Sequence, residues 1–190
     1  MKMMLIRIYF CALALLTIAA IFPASTDAQK RDYLTEAEVE LVRDAQEIDR
    51  RIDVLTKAID RRLAALSLGT AVVNEKEARI WGEIPTGSRL ELYVDIKKLL
   101  QKAIDDIDSV AGHSSTAEPK TKQEHKEAQR FPNAVRRLAK DADRYLPIFR
   151  MELDKITNER DKGPLLDSIE FCSQIIEAAQ KITGSSAIVR

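Results

Sequence analysis

Apolar residues return at alternating steps of four and three along four separate stretches of this chain, and that spacing leaves it few folds. In the first stretch they fall at Leu41, Ala45, Ile48, Ile52, Leu55, Ile59, Leu63 and Leu66. The stretch opens with Thr35 and, three positions on, Glu38, a capping box that satisfies two of the N–H groups a helix start leaves orphaned. The pattern predicts one helix over 36–67, closed by Gly69. Glu47–Arg51 and Asp53–Lys57 stand four apart in the favourable orientation and are expected to pair along it.

A second stripe runs through Tyr93, Ile96, Leu100, Ala103, Ile107 and Val110, behind the capping box Ser88/Glu91, and predicts a helix over 89–111 stopped by Gly112. Val135, Leu138, Ala142, Tyr145, Phe149, Leu153 and Ile156 predict a third over 132–158. Pro132 suits its first turn, with residues 121–130 able to add a polar turn or two before it. Pro147 falls inside the pattern, where a missing N–H is expected to kink or split the helix. The fourth, over 164–183, carries Leu165, Ile169, Cys172, Ile176 and Ala179 between Pro164 and Gly184. Two connections stand apart. Residues 69–87 are long and hold the single tryptophan, and 112–122 are polar, small and proline-containing, as a mobile linker is.

A helix with one apolar stripe must bury it against another. Four such stripes near a 3.5-residue period imply an all-α fold, an antiparallel four-helix bundle over 35–184, with 29–34 as a lead-in and 185–190 as a tail. The rival arrangement is a long helical hairpin that dimerises through its first helix, and self-association suits either. Glycine and proline are scarce, at six each, as long helices require.

The first 28 residues have a different build. Lys2 and Arg7 precede an uncharged run from Ile8 to Phe22, Pro23 ends it, and Thr26 and Ala28 stand at the −3 and −1 positions of a cleavage site before Gln29. The run is 15 residues long, short of the ~20 a spanning helix needs. This three-part layout is that of a signal peptide, residues 1–28, and implies export to the periplasm or the extracellular space. The alternative is an uncleaved anchor, the only arrangement in which a membrane would be a partner. Tyr9 and Phe10 precede Cys11 where lipoprotein signals need small residues. Cys172 is then the sole cysteine of the mature chain, which closes no internal disulfide.

Charge excludes one class of partner. Basic and acidic residues number 30 each; losing Lys2, Arg7 and Asp27 with the signal leaves 28 and 29, a net of −1. Signs interspersed at near neutrality leave no basic face for nucleic acid.

No catalytic constellation is visible. A di-iron bundle needs Glu-x-x-His pairs and zinc needs three or four converging ligands, but His113 and His125 are the only histidines. No glycine-rich phosphate loop and no nucleophile elbow occur. Cys172, on the apolar stripe, reads as a small buried hydrophobe and not as a nucleophile. Asp105, Asp106 and Asp108 read as a solvated cluster, and Arg50–Arg51, Arg61–Arg62 and Arg136–Arg137 as solvated faces. The expectation is a protein with no metal and no cofactor that is not an enzyme. Within Arg79-Ile80-Trp81-Gly82-Glu83-Ile84, Trp81 is expected to cap the bundle end, or else to form with Arg79 and Ile84 an exposed partner contact.

Leu34-Thr35-Glu36-Ala37-Glu38 resembles the Leu-Thr-x-x-Gln motif of the small periplasmic helical stress chaperones, with Glu38 in place of glutamine, over five residues of 190. The resemblance implies an exported, cofactor-free helical protein that cradles unfolded clients. From the residues themselves the leading expectation is a non-enzymatic binding or structural module of the cell envelope, whose partner is a protein or another envelope component. A chaperone-like stress protein and a small-ligand carrier with a pocket between helices are the alternatives.

Overall fold

A computed structural model describes residues 32–69, 75–112 and 121–187. The chain divides into a unit Met1–Asp32 and a unit Tyr33–Arg190. The first unit, but for Asp32, falls outside the described residues. With it fall the expected signal segment 1–28, its cleavage positions and Cys11. Within the second unit the described residues hold six helices and no strand: α1 (Glu36–Asp44), α2 (Ile48–Ala65), α3 (Glu75–Trp81), α4 (Arg89–Ala111), α5 (Lys122–Lys155) and α6 (Glu159–Ala187). No described helix is long and apolar enough to cross a membrane.

The local signals work where they are strongest. At α1 and α4 both halves of the predicted capping boxes form, Thr35 with Glu38 and Ser88 with Glu91. The stripes supply much of the burial of the long helices: Ile52, Leu55, Ile59 and Leu63 on α2, Tyr93, Ile96, Leu100 and Ala103 on α4, Leu138, Ala142, Tyr145 and Phe149 on α5, and Leu165 and Cys172 on α6. Together they make one core cluster.

Several boundaries differ from the sequence reading. The expected helix 36–67 is two helices, with Ala45 (ψ 74°) ending α1 and Glu47 (ψ 134°) extended before α2. In one straight helix Glu38 and Arg62 would stand about 36 Å apart. Here Glu38 lies 2.6 Å from Arg62, so α1 folds back along α2. α2 ends at Ala65 without needing Gly69, because Ser67 takes the left-handed turn (φ 60°) and Leu68 N–H donates to the Leu63 carbonyl. α5 begins ten residues before the expected 132, behind a third capping box, Thr121/Glu124, and runs unbroken through Pro132 and Pro147. Pro147 lies on the exposed side, where its ring displaces no core contact. α6 starts at Glu159 and continues past Gly184. The connection 69–87 contains α3, and of the linker 112–122 all but its ends lies outside the described residues. Of the tail 185–190, residues 185–187 belong to α6 and the rest lie outside.

Ion pairs fix the directions of the long helices. Arg130, Arg137 and Arg144 on α5 pair with Glu47, Asp53 and Asp60 at 2.6, 3.2 and 2.8 Å. Both numbers rise together, in steps near a heptad, so α2 and α5 lie side by side and parallel. The expected neighbours of opposite direction occur elsewhere. Arg51 meets Asp106 and Arg62 meets Asp95, so α4 runs against α2. The short connection Ile156–Asn158 turns α6 back along α5. α4 and α6 are therefore also parallel, and Lys97 joins them to Asp167 at 2.7 Å.

Candidate functional site

The three expected contact residues separate in the structure. Arg79 is exposed, Ile84 is half-buried, and Trp81 is 7% exposed and part of the core. The Trp81 ring faces two cations, Lys57 Nζ at 5.4 Å and the Arg61 guanidinium at 5.6 Å, and Lys57 itself pairs with Glu77 of α3. Trp81 thus closes the end of α2 with its indole turned inward.

Beside it lies a buried charged clasp. Glu38 is 0% exposed and Arg62 1%. Glu38 Oε1 accepts from Arg62 Nη1 at 2.6 Å and from Arg61 Nε at 3.1 Å, and its Oε2 accepts from Arg62 Nη2 at 2.7 Å and Thr35 N–H at 3.0 Å. The fork of Arg62 onto both oxygens is the strong bidentate form of the pair. Arg62 also donates to the carbonyls of Ala58 and Tyr33. Arg61 Nη2 donates to the carbonyls of Trp81, Gly82 and Glu83, the groups that a helix C-terminus leaves without a partner. Gly82 sits at φ 67° there, the left-handed conformation that glycine adopts without cost. One carboxylate and two guanidiniums therefore tie α1, α2 and the end of α3. Arg61–Arg62, read from sequence as a solvated face, is buried because Glu38 is brought to it.

Other polar clusters tie helices together. Asp106, expected in a solvated acidic cluster, is 8% exposed and pairs with Lys102 and Arg51. Glu47–Arg51 and Asp53–Lys57 do not form along α2; those residues find Arg50 and Arg130, Arg137, and Glu77 instead. The Tyr145 hydroxyl donates to the Thr56 carbonyl at 2.9 Å across the α2–α5 seam. Burial, with the carboxylates of Asp60 and Asp141 nearby, holds the Tyr145 hydroxyl well above the ordinary tyrosine range. Burial also raises Asp60, although Arg144 opposes it. At the other end of α5, Glu152 accepts from Tyr93 and Arg89 of α4.

Cys172 is fully buried, and burial pushes its thiol up to about 12, which suits packing and not nucleophilic attack. His113 lies outside the described residues and His125 stands in the first turns of α5. Among the described residues no group of three or more His, Cys, Asp and Glu could hold a metal ion.

One feature has the form of a binding site. Towards the C-terminal ends of α4 and α6 the helices part around a cleft of about 310 Å³. α4 contributes Ile104, Ile107 and Ala111, α5 contributes Phe131, Val135 and Leu138, and α6 contributes Ile175, Ala178 and Ile182. Polar groups enter only through Asp108 and Gln174, and Ile182 is 40% exposed at the mouth. Apolar walls with few polar groups are the usual make-up of small-molecule sites, and this volume sits at the lower end of their range. The sequence stripe contained Ile107 and Val135 as core. What it did not carry is that they border an open space: Val135 is 6% exposed and Ile107 half-buried, and both line the cleft. Comparison with known protein families, with curated proteins and with solved structures finds no match for this chain.

Proposed function

We propose that the chain is exported by its segment 1–28, folds as a four-helix bundle of α2, α4, α5 and α6 with α1 docked on α2, and serves as a non-enzymatic binding module of the cell envelope. Its binding element is the cleft between α4, α5 and α6, which takes an apolar group borne by an envelope component or a small ligand.

The observation that carries this reading is the cleft itself, a concave, largely apolar space of about 310 Å³ walled by α4, α5 and α6. The chaperone-like alternative ranks lower. An unfolded client needs long apolar surface, whereas among the described residues the exposed large hydrophobics, Ile80, Met151, Leu166 and Ile182, are spread over α3, α5 and α6. A contact through Arg79, Trp81 and Ile84 ranks lower for the same kind of reason, since the indole is buried.

The test is titration of the full chain with the neutral fluorophore N-phenyl-1-naphthylamine, which brightens in apolar surroundings. Saturable enhancement is expected, and loss of it in Ala178→Phe, whose ring would fill the cleft from an exposed position. No enhancement, or the same enhancement in the variant, would sink the cleft as the binding element. Export is checked separately: mass spectrometry of the protein from its own host should find a chain beginning at Gln29, and an intact N-terminus would replace cleavage with anchoring.

A further inference from the structure

The cleft has an electrostatic character as well as an apolar one. α4 and α6 are parallel, and in both the cleft residues lie C-terminal to the Lys97–Asp167 pair. The C-terminal end of α4 therefore lies at the cleft, Ala111 of its wall being the last residue of that helix, while α6 runs five residues past Ile182 to Ala187. Each helix C-terminus carries the equivalent of about half a negative charge, normally offset by a basic residue in the last turn. Neither α4 nor α6 has one there.

A full negative charge adds to these partial ones. Asp108 is the single ionisable residue of the cleft wall, it is exposed, and it makes no ion pair with the described residues. Three cations of the helices that wall the cleft pair with other carboxylates: Lys102 with Asp106, Arg130 with Glu47, and Lys181 with Glu177 at 2.9 Å. The positive N-terminal end of α5, which would cancel the field, begins nine residues before Phe131. That is about 13 Å along the helix axis, beyond the ~8–10 Å over which exposed charges act in physiological salt.

We infer that the ligand of the cleft is a cationic amphiphile, an apolar chain or ring seated among Ile107, Val135 and Ile175 with an ammonium-type head at Asp108. The inference rests on the cleft being the binding element, and the two fail in different ways. The experiment is isothermal titration calorimetry of the full chain with decyltrimethylammonium, decanol and decyl sulfate, the ionic ligands below their micelle concentrations and decanol below its solubility, on wild type, Asp108→Asn and Ala178→Phe. Decyltrimethylammonium is expected to bind wild type roughly three- to tenfold tighter than decanol, the scale of one exposed ion pair with helix-end assistance, with decyl sulfate weakest. Asp108→Asn is expected to remove most of that preference while leaving decanol binding in place, and Ala178→Phe to abolish binding of all three. Equal affinities for cation and alcohol, or a charge order unchanged by Asp108→Asn, would overturn the cationic head while leaving the cleft standing. Binding that Ala178→Phe does not touch, or no binding at all, would overturn both.

Discussion

Replacing Glu38 by alanine tests the clasp most directly. The carboxylate accepts four hydrogen bonds, three of them from guanidiniums with almost no access to water. Its removal leaves Arg61 and Arg62 buried without their counter-charge, and breaking one partner of a buried ion pair costs about 3–5 kcal/mol. The lower end applies here. Arg61 keeps the carbonyls of Trp81, Gly82 and Glu83, and Arg62 keeps those of Ala58 and Tyr33. About 3 kcal/mol corresponds to roughly 6–12 °C in melting temperature for a domain of this size. A ceiling also operates, because α1 can lift off α2 and return both guanidiniums to water, so the loss cannot exceed the free energy that docks α1.

Two probes separate these outcomes. Circular dichroism follows the whole helical fold, and the fluorescence of Trp81, the only tryptophan, follows the clasp. Coincident melting curves, both lowered, mean that the clasp is part of the cooperative unit. A Trp81 transition that precedes the loss of helix means that α1 and α3 open first. The double variant Glu38→Leu, Arg62→Met is expected to melt above Glu38→Ala, because removing both charges spares the desolvation that one leaves behind. Glu38→Ala melting within about 1 °C of wild type, or a double variant less stable than the single one, would refute the buried clasp.

Two further outcomes follow from burial. Tyr145→Phe should cost about 1–2 kcal/mol at neutral pH, since its hydroxyl donates to the Thr56 carbonyl at 2.9 Å inside the core. Because the folded hydroxyl titrates well above 10, wild-type stability is full below the ordinary tyrosine range and falls as pH rises above it, where only the unfolded chain releases the proton. Urea unfolding between pH 9 and about 11 should show that fall, less steep in Tyr145→Phe, and parallel slopes would contradict the assignment. With Cys11→Ser leaving one thiol, Cys172 is expected to resist a thiol reagent at pH 8 and to react fully in denaturant; rapid native reaction would place Cys172 outside the core.

Much of the secondary structure was written locally. The stripes of α2, α4, α5 and α6 follow from spacing alone, because every third or fourth residue of a helix shares a face whatever lies opposite. The start of α5 was also legible at Thr121/Glu124, the same signature as at Ser88/Glu91, but Pro132 drew the reading to a later start. The break between α1 and α2 has no such mark: Ala45, Gln46 and Glu47 include neither glycine nor proline. It exists because Glu38 is drawn to guanidiniums more than twenty positions along the chain.

The sequence by itself thus determined that the chain is helical, which face of each long helix is apolar, and where α1 and α4 begin. The tertiary structure alone decided that α2 and α5 run parallel, that Arg61 and Arg62 are core, and that the apolar lining is left open beside Asp108. The reason is one of range. Hydrogen bonding and side-chain spacing within a helix act over four residues and can be read along the chain. The burial of a charge, and the closing or opening of an apolar face, depend on what a distant segment brings against it.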